Sequence, residues 1–362
     1  MIVFVDFKKA FDSVHRGRML DILKAYDIPP RLHRAITTIY ENTQSKVTTP
    51  DGETNYFEVK RGVLQGDTLA PYLFAIVIDF IMCKTYENHE IELGFKLQRR
   101  RSTRHPDVTV TDLDFADDLA LITEEIEQGQ EVLNRLETEA EGVGLLCNAK
   151  KTEVQVINQT PPVIITSKSG DQLKVVDNFK YLGSWIKSSE NDLKVRKSMA
   201  WSACYKMRKI WNSQLSKALK IRLFVTTVES VLLYGSETWT MTATMKKRLD
   251  GCYTKMLRMV QNISWRSHTT NAELYGNLPK VSTKVQQRRM RLAGHLVRHR
   301  EEIGHHLVLW QPTDGRASRG RRKKTFVDNL LEDTGASNVT ELKDLMNNRE
   351  DWRKRVEAKG AP

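Results

Sequence analysis

The sequence predicts an α+β fold: a mixed β-sheet with helices on one face, then a helical region, then a basic, mostly helical C-terminal stretch. Three observations carry this expectation. In the first half, short runs rich in Val, Ile and Phe alternate with longer amphipathic segments, in an order unlike the strand-helix-strand repetition of an all-parallel sheet. Beyond about residue 190 helical periodicity takes over. Charge divides at the same place: residues 1–190 hold 23 Lys and Arg against 29 Asp and Glu, net −6, and residues 191–362 hold 34 against 16, net +18. An acidic half suits cations and a basic half suits a polyanion such as nucleic acid, with an acidic membrane surface as the competing partner.

The elements follow in order. MIVFVDF is a short apolar strand ending in Asp6, and residues 14–26, with Leu20 and Leu23 on one face, form a helix stopped by Pro29 and Pro30. A second helix carries Leu32, Ile36 and Ile39. SKVTTP and TNYFEVK then make a hairpin around Asp51 and Gly52. In RGVLQGDTLAPYLF a glycine-flanked turn, Gly62 to Gly66, opens an apolar helix, with Asp67 or Thr68 as cap and Pro71 in the first turn. After the arginine run at 99–101, VTVTDLDFADDLALI reads as a tight hairpin with Asp117 and Asp118 as its turn. EEIEQGQEVLNRLETEAEG is a helix whose Ile126, Val132, Leu133 and Leu136 face the core, and KTEVQVI is a further strand. Trp201, Tyr205, Met207 and Trp211 lie in one later helix, residues 223–233 in another and 245–263 in a third, ahead of the basic QRRMRLAGHLVRHR and the Gly/Ser/Arg-rich GRASRGRRKK.

Composition removes several classes of protein. At 362 residues, with 8% aromatic residues, the chain holds enough apolar surface for two domains. Its longest apolar stretch, residues 69–82, is interrupted by Asp79 and too short to span a bilayer. The N-terminus lacks a signal-peptide layout, so an intracellular protein of nucleus or cytoplasm, not secreted and not membrane-bound, is expected. Cys83, Cys147, Cys204 and Cys252 form no CxxC pair, which points to reduced thiols and excludes a C-terminal Cys-His knuckle. His295, His299, His305 and His306 read as helix-face residues, since the sequence shows no cysteine or acid cluster at ligand spacing beside them.

The chemistry lies in the acids. Adjacent carboxylates in an apolar hairpin repel unless a cation compensates. If the strand ending at Asp6 neighbours this hairpin, Asp6, Asp117 and Asp118 form a three-carboxylate site. Hard oxygen ligands of that kind suit Mg²⁺, and two such ions support in-line displacement of pyrophosphate by a hydroxyl. Asp112 and Asp114, alternating with Leu113 and Phe115, are expected on the solvent side and not as ligands.

The ordered series VFVDFKKAFDSV, RGVLQGDTLAPYLF, FADD, GLLCNAKKTEVQ and FKYLGSWI resembles motifs A to E of reverse transcriptases, most closely those of non-LTR (LINE-type) retrotransposons. The resemblance implies a right-hand polymerase palm over residues 1–190, a helical thumb or connection over 191–280 and a basic C-terminal region over 281–362. It implies RNA-directed DNA polymerase activity with two Mg²⁺ ions, or Mn²⁺ as substitute, acting on an RNA template, a DNA primer or target and dNTPs. It leaves the oligomeric state open. Asp6, Asp117 and Asp118 would be the metal ligands and catalytic carboxylates, with Lys151, or its neighbour Lys150, protonating pyrophosphate. Lys9 and Ala10 would lie beneath the triphosphate, and Phe11 would exclude a ribose 2′-OH, its plainer reading being a core aromatic. Gln65 and Gly66 would meet the nucleotide and its templating base, and Asp12 would be a hydrogen-bonding residue. Tyr181, Leu182 and Gly183 would form the primer grip.

Whole members of this family carry a fingers domain, and usually an endonuclease, ahead of the first motif, on which this sequence almost begins. That implies weak or no activity for the 362 residues by themselves. The alternative reading is an inactive nucleic-acid-binding remnant whose basic half still holds RNA or DNA. Trp201, Tyr205 and Trp211 could stack bases in that half, although core packing accounts for them equally.

Overall fold

The computed structural model describes residues 1–87, 93–98, 102, 107–157, 163–264, 266–311 and 322–359; the arginine run at 99–101 and most of GRASRGRRKK lie outside them. The chain forms two compact units, Met1–Phe179 and Lys180–Pro362, dividing inside the FKYLGSWI segment.

The first unit is built on a five-stranded sheet. Its strands are β1 (Ile2–Val5), β2 (Asp112–Phe115), β3 (Asp118–Ile122), β4 (Glu153–Gln155) and β5 (Lys174–Val176), in the order β5-β4-β1-β3-β2. Only β4 and β5 run parallel, so the sheet is mixed as expected. Strand alternation sends Val3, Val5, Leu119, Leu121 and Val154 to one face. There they join Leu73, Phe74 and Val77 of the Ala70–Tyr86 helix and Val132, Leu133 and Leu136 of the Ile126–Gly142 helix in one core. On the other face Phe4 stacks on Phe179, ring centroids 3.8 Å apart.

Local signals account for the flanking elements. Helix Arg16–Ala25 starts where the His15 side chain accepts from the Arg18 amide, and Pro30 opens the next helix, Pro30–Tyr40. The predicted hairpin forms, Thr48–Thr49 pairing with Gly52–Glu53 and Gln44–Ser45 with Phe57–Glu58, but its turn residues are Pro50 and Asp51, one position earlier than expected, because Gly52 pairs with Thr49. Neither expected cap candidate is the N-cap of the apolar helix, which is Leu69; Asp67 Oδ1 instead accepts from the Leu69 amide at 3.1 Å, within the turn just ahead of it.

The second unit opens with a two-strand hairpin, Lys180–Tyr181 against Ser184–Trp185, and its other regular elements among the described residues are helical. Helices Ser189–Lys206 and Ala243–Val260 share a core with Trp211, Phe224, Val228 and Trp239. A second core gathers Met290, Ala293 and Val297 of the Val281–Arg298 helix with Leu330, Leu342, Met346 and Trp352 from the C-terminal helices. Trp211 is buried and donates its indole N–H to the Cys204 carbonyl, whereas Tyr205 stands exposed.

Candidate active site

The site is set by strand register. β1 and β3 pair antiparallel with Phe4 opposite Ala120 and Val5 opposite Leu119, so one further step places Asp6 opposite Asp118. β2 and β3 close a hairpin in which Phe115 pairs with Asp118. The two turn residues are therefore Ala116 and Asp117, one position earlier than the sequence suggested. Asp118 is the first residue of β3, because Ala116 takes the left-handed conformation the turn needs, φ 56°. The three carboxylates thus lie at one end of two adjacent central strands.

Their electrostatics show excess negative charge. Desolvation raises the Asp118 carboxyl above the ordinary carboxylate range, and the charges of Asp117 and Asp6 raise it further. Among the described residues the three aspartates do not gather into a grouping whose ligand oxygens all lie within 4.8 Å of one another. Like charges keep such side chains apart until a cation draws them in. A cluster of hard oxygens with a proton-attracting member fits a divalent ion such as Mg²⁺.

Asp6 is held from the segment after the Ile126–Gly142 helix. The Asn148 amide donates to the Asp6 carbonyl at 2.7 Å, and Asn148 Nδ2 donates to Asp6 Oδ2 at 3.2 Å. The Asp6 amide donates to Thr152 Oγ1 at 3.3 Å. Lys151 Nζ stands 3.6 Å from Asp6 Oδ2 on a side chain that is 69% exposed. The resemblance pointed to Lys151, with Lys150 as an equally basic neighbour; of the two, Lys151 makes the ion pair with Asp6. Sequence reasoning missed Asn148 and Thr152, for which the one local signal was their place in CNAKKT, flanking the lysines.

The second motif packs on the first through its backbone. Gly62 donates to the Val14 carbonyl and Val63 to the Phe11 carbonyl, both at 2.8 Å. A Cβ on Gly62 would meet Asp12 Cα at 2.7 Å and the Phe11 carbonyl oxygen at 2.8 Å. The buried Arg16 clamps this junction, donating to the Gly62 and Tyr40 carbonyls at 3.0 Å. Gln65 Nε2 donates to Asp12 Oδ1 at 2.9 Å. Gly66, φ 90°, has open space where a Cβ would lie. Phe11 is half-buried and stacks on Phe74, centroids 4.4 Å apart. Ala10 is buried, so only its backbone can face a ligand, while Lys9 is exposed and takes φ 49°.

Asp112 and Asp114 sit apart from the triad on edge strand β2. Desolvation pushes the Asp114 carboxyl up to about 7, and the charge of Asp112 and a hydrogen bond with it, then Asp79, add to the shift. Leu113 and Phe115 on the opposite face are exposed too, which the alternation did not anticipate, because β2 is an edge of the sheet.

In the second unit Leu182 and Gly183, φ 46° and 85°, turn the Lys180–Trp185 hairpin. Tyr234 donates its hydroxyl to the Leu182 carbonyl at 2.8 Å, and the Arg196 guanidinium donates to the Gly183 carbonyl while lying 4.4 Å from the Tyr234 ring centroid. Asp192 accepts from the Trp185 amide and from Trp239 Nε1. The LLYGSETWT stretch therefore has a structural use: its Tyr234 and Trp239 hold that hairpin and its supporting aspartate.

A family model described as reverse transcriptase (RNA-dependent DNA polymerase) matches residues 1–186. The chain belongs to that family. This reverse transcriptase is 30% identical over 193 residues to the Pol polyprotein of the retrotransposable element R2 of Nasonia vitripennis, matching 50% of the chain and 18% of the relative. It is 23% identical over 303 residues to the R2 polyprotein of Popillia japonica, matching 80% of the chain and 47% of the relative. An uncharacterised transposon-derived protein of Caenorhabditis elegans is 25% identical over 261 residues, covering 67% of the chain and 94% of that protein. The relatives place the reverse transcriptase in the non-LTR branch. It spans less than half the length of either R2 polyprotein.

Proposed function

We propose that the first unit catalyses RNA-directed DNA polymerisation for a non-LTR retrotransposon, adding dNTPs to a DNA primer on an RNA template inside the cell. The observation that carries this is the β1–β3 register, which sets Asp6 opposite Asp118 with Asp117 in the adjoining turn. No helix among the described residues is long and apolar enough to cross a membrane. Residues 191–362, with 34 Lys and Arg against 16 acids, supply the phosphate-neutralising charge that nucleic-acid binding requires.

Asp6, Asp117 and Asp118 would hold two Mg²⁺ ions, with Mn²⁺ as substitute. When bound, these supply the positive charge that activates a primer hydroxyl and stabilises departing pyrophosphate. The protein's own groups do the rest. Asn148 Nδ2 orients the Asp6 carboxylate and Thr152 Oγ1 anchors the Asp6 backbone, which limits how far Asp6 must move when the metals draw the carboxylates together. Lys151 would give a proton to pyrophosphate, a role its exposed position beside Asp6 supports. Lys9 and the backbone at Ala10 receive the triphosphate, and Gln65 and Gly66 border the nucleotide. The Phe11 ring, seated on Phe74, stands against a ribose 2′-OH. Tyr181, Leu182 and Gly183 hold the primer terminus. Palm, thumb and C-terminal roles follow for 1–190, 191–280 and 281–362.

The test is templated primer extension with Asp117→Asn in a protein extended at its N-terminus with a family fingers domain. Extension should fall below a few per cent of the unmodified protein while RNA binding stays nearly constant. Retained extension would remove the carboxylate from the chemistry.

A further inference from the structure

The helix Val281–Arg298 carries His295 in its last turn, and His299 is its C-cap. A tight turn follows, in which the Glu302 amide donates to the His299 carbonyl at 3.2 Å before the next helix, Ile303–Val308, begins. Sequence spacing pairs the two histidines, four residues apart on one helical face. The turn adds the carboxylate. One nitrogen of each imidazole and one Glu302 oxygen all lie within 4.8 Å of one another, and all three side chains are exposed.

We propose that His295, His299 and Glu302 form a binding site for a divalent transition metal of the Zn²⁺ class. Three further features support it. His299 Nδ1 lies 2.7 Å from the His295 carbonyl, and a carbonyl can only accept. The ring proton therefore sits on Nδ1 and the lone pair on Nε2, the arrangement by which metal-bound histidines are usually oriented. The two rings already adjoin, centroids 3.9 Å apart and planes tilted by 43°. The cluster also lies at a helix C-terminus, where the helix dipole favours a cation. Two imidazoles and one carboxylate are the ligand set of several three-ligand zinc sites, which keep a fourth position open. The nitrogen donors set this site apart from the aspartates of the first unit. Imidazole prefers Zn²⁺, Ni²⁺ or Cu²⁺, and all-oxygen carboxylate sites prefer Mg²⁺ or Mn²⁺. Bridging at metal–ligand distances of about 2.0–2.2 Å would tie the helix end to the turn that follows it.

The experiment titrates Zn²⁺ into the chelator-treated full chain, with millimolar Mg²⁺ present to fill oxygen-only sites, by competition against a chromophoric chelator. One Zn²⁺ per chain should bind. His295→Ala and His299→Ala should each weaken it by about tenfold or more, on the scale of losing a supporting contact at a metal site. Glu302→Gln should also weaken it measurably, which separates a three-ligand site from the weak affinity of any exposed histidine pair. Cys83→Ser, removing an exposed thiol elsewhere, should leave binding unchanged. Co²⁺ should give an intense visible spectrum of low coordination number that the His299→Ala protein lacks. Absence of Zn²⁺ binding, unchanged affinity in either histidine variant, or full affinity in Glu302→Gln would overturn the proposal. None of these readouts uses polymerisation, so they stand apart from the test of that function.

Discussion

The glycines at either end of the RGVLQGD turn should respond differently to one added methyl group. Both have positive φ, 82° at Gly62 and 90° at Gly66, so alanine at either position incurs a backbone cost of roughly 1–2 kcal/mol. They differ in surroundings. At Gly62 the new Cβ would lie 2.7–2.9 Å from backbone atoms of Phe11 and Asp12, which cannot swing aside. That overlap adds roughly 1–3 kcal/mol. The Gly62→Ala total, about 2–5 kcal/mol, corresponds to a 30-fold to few-thousand-fold rise in the opened population, at tenfold per 1.4 kcal/mol. Gly66→Ala meets nothing within 4 Å and should cost only the backbone strain. All seven tryptophans lie at or beyond Trp185, so tryptophan fluorescence reports the second unit alone. Hydrogen exchange of peptides from residues 1–80 is the suitable stability assay. The KM for dNTP in primer extension reports the site. We expect Gly62→Ala to lose protection across the first unit. Gly66→Ala should keep most of it yet raise KM, because its methyl group enters the open space assigned to nucleotide. Equal loss of protection in both, or an unchanged KM for Gly66→Ala, would refute this reasoning.

Further expectations concern the same unit. Phe11→Ala should narrow the preference for dGTP over GTP in parallel incorporation assays; an unchanged ratio would leave Phe11 as a packing partner of Phe74 only. Asn148→Ala should lower kcat by releasing the Asp6 carboxylate while leaving primer–template affinity intact, and a change in affinity alone would contradict the positioning role. The raised Asp114 carboxyl predicts a pH effect with a definite sign. Its folded-state value, about 7, lies above the ordinary carboxylate range, so the folded form binds more protons between those limits. Stability from this group is present at low pH and is lost as pH rises toward 7. Asp114→Asn should flatten that decline in a denaturation series, and an identical pH profile would remove Asp114 as its source. RNA binding by the full chain should weaken steeply with added salt, since counterion release from its Lys and Arg drives it.

Much of the fold could be read from the chain because the signals are local. Within the period-2 run the DLDFADDLALI part forms a hairpin, while VTV pairs instead with Phe95–Gln98; the earlier hairpin forms where expected but turns on Pro50 and Asp51, and the helices stop and start near their proline and cap residues. Where reading slipped, a non-local term decided. The acidic hairpin turns on Ala116 and Asp117 because Phe115 pairs with Asp118, a register shared with β1 more than a hundred residues earlier. Leu113 and Phe115 are exposed because β2 has a neighbour on one side only. Tyr205 and Trp211 share a helical pattern, yet only Trp211 enters the core.

The sequence by itself determined which groups are present: two acidic strand ends, a basic second half, and an ordered motif series that places the chain among reverse transcriptases. Only the tertiary structure decided which groups meet. Asn148 and Thr152 reach Asp6 across 142 and 146 residues, and Arg16 closes on Gly62 across 46. Such contacts leave no periodicity in the chain. They depend on strand register, where a slip of one residue would turn every side chain to the other face and move Asp6 away from Asp118.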